Sequence, residues 1–118
     1  MKYLCLVYFD GTVLEKMSEA EKIAFDNESL AYDEELQRSG HFIAAEALES
    51  VKSAVTVRMR NGKISTTDGP FTETKEQLGG FILIEARDLN DAIQVAAKIP
   101  LARFGSIEVR PIWELEKK

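Results

Sequence analysis

The 118-residue chain has little of what most site chemistry requires. A single cysteine excludes an internal disulfide, and no second Cys offers zinc spacing. Cys5, within YLCLVYF, reads as buried filler of a strand, because a reactive thiolate needs exposed, electropositive surroundings. A single histidine excludes multi-histidine metal sites. His41 directly follows Gly40 at a helix-to-strand junction, which suits a solvated side chain of the C-terminal turn. Basic charge is also short: 15 Lys and Arg stand against 20 Asp and Glu, a net charge of −5. That sign argues against general binding to phosphate backbones or anionic lipid. The apolar run near the N-terminus is too short to span a bilayer and lacks a small-residue cleavage site. Gly-rich phosphate loops, dinucleotide fingerprints and nucleophile elbows are missing. The expectation is a cytoplasmic protein with no metal, no cofactor, no nucleic-acid partner and no membrane partner.

What is present reads as one globular domain over residues 1–118, with 45% hydrophobic and 30% charged residues and no linker or repeat. KYLCLVYF (2–9) is a strand. Ser18-Glu19-Ala20-Glu21 is a capping box opening a long helix that stops at Gly40. HFIAAEAL (41–48) is a second strand. AVTVRMR and KISTTD flank Asn61-Gly62 as a hairpin. GGFILIEA (79–86) is a strand, Asp88 caps a helix from Leu89 to about Lys98, and SIEVRPIW (106–113) closes the order, with Pro111 at a sheet edge or exit. This is a split βαβ pattern with a hairpin inserted, an α+β, ferredoxin-like antiparallel sheet with two helices on one face.

The strands are apolar on both faces: Tyr3, Cys5, Val7 and Phe9 alternate with Leu4, Leu6 and Tyr8, and Phe81 and Leu83 with Ile82 and Ile84. Two helices cover one face only. The second face therefore wants a partner, and another copy of the chain supplies one. The expected assembly is a homodimer, sheet against sheet, forming a dimeric α/β barrel. On the first long helix Phe25, Ser29, Tyr32 and Leu36 share a stripe, with Ile23 and Leu30 nearly opposite.

A type I′ turn at Asn61-Gly62 fixes the hairpin register. One face is wet: Arg60, Lys63, Arg58, Ser65, Thr56 and Thr67. The other holds Met59, Ile64, Val57, Thr66 and Val55 and ends in Asp68. A carboxylate there bonds the amides of its own turn, with Gly69 and Pro70 shaping the exit, or works as an acid, base or ligand anchor at a pocket rim. In the first case Thr72 caps a short charged helical turn ending at Gly79-Gly80.

TDGPFTETKEQLGGF, PLARFGSIEVRPIW and GHFIAAEAL together resemble the DGPF branch of the YCII-related family over essentially the whole chain. The resemblance implies a ferredoxin-like subunit in a dimeric α/β barrel. YCII-type relatives carry a His on the first helix and an Asp before a Pro after the second. Those positions fall on Ser29 and on Ile99, beside Pro100, so the His–Asp pair and the activity argued from it do not carry over. Some branch members occur with sigma factors, which implies a sensing or accessory role as the alternative to an enzyme.

The candidate catalytic residues are then Asp68 and Glu46, with Arg103, Tyr8 and Ser29 as ligand contacts. Glu46 alternates with Phe42 and Ala44 on its strand. Two neighbouring carboxylates would divide into acid and base; an Arg beside them would lower both and grip an anion, or merely hold the loops together. The reading is a homodimer binding a small polar or anionic organic molecule, with cofactor-free acid/base turnover as its enzymatic form. A non-catalytic sensor or interaction module tied to transcription regulation is the rival.

Overall fold

The computed structural model describes residues 1–116. In chain order the elements are β1 (Lys2–Phe9), α1 (Thr12–Glu15), α2 (Glu19–Arg38), β2 (Phe42–Ala47), β3 (Val55–Arg60), β4 (Lys63–Asp68), β5 (Gln77–Glu85), α3 (Leu89–Ala97) and β6 (Gly105–Pro111). Short 3₁₀ turns at Val51–Ser53 and Pro100–Arg103 join them. A four-stranded antiparallel sheet runs β2-β5-β1-β6, and β3 with β4 forms a separate two-stranded sheet. With the hairpin set aside, this is the ferredoxin-like fold.

The helix-side face of the sheet is the core. Tyr3, Cys5 and Val7 of β1 and Ile82 and Ile84 of β5 pack against Tyr32 and Leu36 of α2 and Ala92, Val95 and Ala96 of α3. Burial pushes the Cys5 thiol up to about 11, so it stays a neutral filler. The capping box at α2 forms as expected: Ser18 Oγ accepts from the Glu21 amide and Glu21 Oε1 from the Ser18 amide, both at 3.1 Å. Gly40, at φ +80°, ends the helix in a conformation a side chain would disfavour. Tyr32 donates its hydroxyl to the Val95 carbonyl at 2.6 Å and so pins α2 to α3. Phe25, at the N-terminal end of the expected stripe, tilts against Phe104, with ring centroids 5.9 Å apart.

On the opposite face Leu4, Leu6, Tyr8, Phe81 and Leu83 are partly exposed. Along β6 that face turns polar, since Arg110, Glu108 and Ser106 sit in register with Leu4, Leu6 and Tyr8. The apolar centre is real, and one flank of it is wet.

The hairpin has the expected register, Val55 opposite Asp68 through Arg60 opposite Lys63, with Asn61 at φ 52° and Gly62 at φ 74°. Every residue of β4 is exposed. Val55, Val57, Met59 and Ile64 are 57, 63, 55 and 69% exposed, so the hairpin's oily face is uncovered within the subunit.

Two expectations need correction. Residues 72–76 form an irregular segment, not a helical turn, and Gly79-Gly80 lie inside β5, not at a helix end. Close packing explains the glycines: a Cβ on Gly79 would meet the Phe9 ring at 2.0 Å, and one on Gly80 the Glu46 carbonyl at 2.8 Å. Secondly, β2 carries a bulge between Phe42 and Ala44. Phe42 pairs with Ile84 on the core face, whereas Glu46 pairs with Phe81 and Ala44 with Leu83 on the outer one. The extra residue breaks the alternation that seemed to join Glu46 to Phe42.

Candidate ligand-binding cleft

Between α2 and the β2–β5 edge of the sheet lies a cleft of about 450 Å³. Asp26, Ser29, Leu30 and Asp33 line it from α2, spaced i, i+3, i+4, i+7 and therefore on one helical face. Its apolar floor includes Val7, Ile82, Ile99, Pro100 and Leu101, and the strand edge at Glu46 closes one side. Ser29 and Ile99 both line this cleft. Burial raises the carboxyl of Asp33 above its ordinary range, and no charged or hydrogen-bonding group among the described residues offsets this. Tyr32, at the same wall, has its phenol pushed up to about 12 by burial, Glu35 adding to the effect.

The expected constellation of Glu46, Asp68 and Arg103 does not assemble in one subunit. Arg103 forks onto Glu28 of α2, Nη1 to Oε1 at 2.6 Å and Nη2 to Oε2 at 2.9 Å, and its guanidinium lies 5.6 Å from the Phe104 ring centroid. That bidentate bond holds Glu28 below the usual carboxylate range. Asp68 is exposed at the end of the hairpin, and the turn behind it is held by Gly69 instead. The Gly69 amide donates to the Ala54 carbonyl at 2.7 Å, and its own carbonyl accepts from Thr56 Oγ1 at 2.9 Å. Gly69 takes φ +104°, where a side chain is strained. Phe71 is 77% exposed, with Arg58 5.6 Å from its ring centroid. Tyr8 lies on the outer face, opposite Leu78, in a second cleft of about 680 Å³ with Pro70 and Phe71. Tyr8 and Ser29 are thus on opposite sides of the sheet.

His41 is no free solvent-facing ring. Its Nε2 meets Asp91 Oδ2 at 3.1 Å and its Nδ1 meets Ser39 Oγ at 2.7 Å. Asp91 is 8% exposed and also accepts from the Arg87 amide at 3.0 Å. The order Ser39, His41, Asp91 has the layout of a nucleophile, a base and its orienting acid. The backbone amides beside it are spent, however: those of Ser39, Gly40 and His41 donate to the carbonyls of Glu35, Gln37 and Leu36. Ser39 Oγ is itself spent on the Leu36 carbonyl at 3.1 Å. The three side chains clamp the end of α2 and the start of β2 to the first turn of α3. Among the described residues no cluster of His, Cys, Asp and Glu could hold a metal ion, and no helix is long and apolar enough to cross a membrane.

A ferredoxin-like α+β subunit with a cleft between its first long helix and the sheet is the class these observations define. The chain belongs to the YCII-related domain family, whose model matches residues 1–116. It is 34% identical over 114 residues to an uncharacterized protein of Rhizobium meliloti (strain 1021), across 95% of this chain and 92% of that relative. In structure it is similar to 5-chloro-2-hydroxyhydroquinone dehydrochlorinase (TftG) from Burkholderia phenoliruptrix AC1100, solved in complex with 2,5-dihydroxybenzoquinone. That likeness covers 97% of this chain and 94% of the other at a TM-score of 0.55, and with 18% identity it speaks for the fold.

Proposed function

We propose that this protein is a cytoplasmic homodimer that binds a small polar organic molecule in the cleft below α2. The observation that carries the reading is that Ser29 and Ile99, where the family resemblance would put the acid/base pair of YCII-type relatives, line one cleft. Its volume of about 450 Å³ suits a compact ligand, and the structural neighbour is a dehydrochlorinase solved with a single-ring molecule. The TDGPFTETKE run supports membership of the DGPF branch. With Ser29 and Ile99 in place of His and Asp, proton transfer falls to Asp33, the cleft carboxyl that burial raises above its ordinary range. An Asp68–Glu46 pair would need the hairpin of one subunit to meet the sheet of the other.

The dimer rests on shape. A compact 118-residue chain has a radius of gyration of about 13 Å, whereas this one measures 16.4 Å and is a slab of 49 × 48 × 18 Å. A slab only two layers thick leaves the apolar centre of the outer sheet face and the oily hairpin face without cover. A second copy buries both in the dimeric α/β barrel.

Amide NMR with a mixture of small-ring fragments tests the cleft: shifts are expected to cluster on Ser29, Asp33 and the Ile99–Leu101 segment. Clustering on Tyr8 and Leu78 would move the site to the outer face. Light scattering tests the dimer, with twice the 13.2 kDa chain mass expected; a monomer at micromolar concentration would end the barrel.

A further inference from the structure

We propose that the cleft selects an organic cation, an ammonium group on an apolar body, over an organic anion. This rests on the cleft being the ligand site. An arginine grip on an anion, expected from Arg103, is lost to Glu28. Among the described residues the cleft is lined by Asp26, Asp33 and the strand edge at Glu46, and by no Lys, Arg or His. Lys22, on the same helix, points its charge toward Glu19 at 3.9 Å. An incoming carboxylate would meet only like charge in a partly desolvated space, where Coulomb forces are weakly screened. An ammonium would give Asp33 the partner it lacks, and the floor of Val7, Ile82, Ile99, Pro100 and Leu101 would receive the hydrocarbon. The raised carboxyl of Asp33 fits a group waiting for a cation. It also gives the preference a pH dependence: ammonium binding weakens as pH falls and Asp33 takes up its proton, with Asp26 and Tyr32 the other titratable groups on the helix side of the cleft and the Glu46 side chain on the outer face of the sheet.

The test uses three isosteric probes, phenethylamine, 2-phenylethanol and phenylacetate, titrated into the full chain at pH 7 and followed by calorimetry and amide NMR. Phenethylamine is expected to bind at least roughly tenfold tighter than phenylacetate, about one decade being a modest charge preference. Asp33→Asn should erase that preference and leave 2-phenylethanol unchanged, and Asp33→Glu should keep it. Ser29→Trp, which fills the cleft, should abolish binding of all three. Phenylacetate binding as well as phenethylamine, with both blocked by Ser29→Trp, overturns the charge preference but keeps the cleft. If no probe shifts the cleft amides, cleft and preference fall together.

Discussion

Ile82 and Ile84 of β5 and Val55, Val57 and Ile64 of the hairpin come from equally alternating strands, yet they end in opposite conditions. The first two are 7% and 0% exposed beneath the helices; the hairpin three are 57–69% exposed. Period-two alternation tells which side chains share a face, and nothing in it tells what lies against that face. In β5 the cover is α2 and α3 of the same chain. For the hairpin it must come from outside the subunit, or the face stays in water at a cost in solubility.

The same deletion in the two regions gives the largest contrast. Ile84→Ala should cost about 3 kcal/mol, the usual toll for truncating a fully buried aliphatic. Ile64→Ala should cost less than about 0.5 kcal/mol in dilute solution. Urea denaturation of both variants checks this; equal losses would break the comparison. A loss for Ile64→Ala that grows with protein concentration would sharpen it, by locating the cover on a second copy.

Within the hairpin exit the next contrast is between neighbours. Gly69→Ala should destabilise by about 1–2 kcal/mol, because φ +104° strains any side chain. Asp68→Asn should stay within about 0.5 kcal/mol, since the exposed carboxylate does not hold the turn. A loss above about 1 kcal/mol for Asp68→Asn would restore the reading in which that acid builds the turn.

The smallest expected effect is a displacement along the pH axis. The backbone hydrogen bond from Arg87, with His41 adding to it, holds Asp91 below its ordinary range. The unfolded chain then binds the proton more tightly than the folded one, so the stabilisation is whole above about pH 4 and fades as pH falls. Asp91→Asn should therefore be less stable than the parent at pH 6, with the gap narrowing toward pH 2. Urea midpoints measured across that range check it, and a gap that stays constant would remove the ionised clamp as its source.

Much of the fold was legible because its signals are local. Ser18 and Glu21 lie three residues apart, Asn61-Gly62 fixes a register by itself, and two-sided apolar strands flagged an uncovered face. The site was far less legible, because it depends on which segments meet. Arg103 meets Glu28 across 75 residues, and His41 meets Asp91 across 50. Asp91 resembled an ordinary first-turn acid behind the Asp88 cap, with no sign of a histidine partner. Asp26 and Asp33 did carry a signal, the i, i+3, i+4, i+7 spacing with Ser29 and Leu30. It was obscured by the overlapping stripe of Phe25, Ser29, Tyr32 and Leu36.

The extra residue in β2 works like a parity bit. Downstream of it, odd and even positions exchange compartments, which is how Ala45 comes to pack on the core while Glu46 looks away from the helices. Excising Ile43 alone would turn the bulge into a regular ladder and leave Ala44, Ala45 and Glu46 on the faces they now occupy. An insertion absorbed in this way shifts the count by one while each later side chain keeps its side of the sheet.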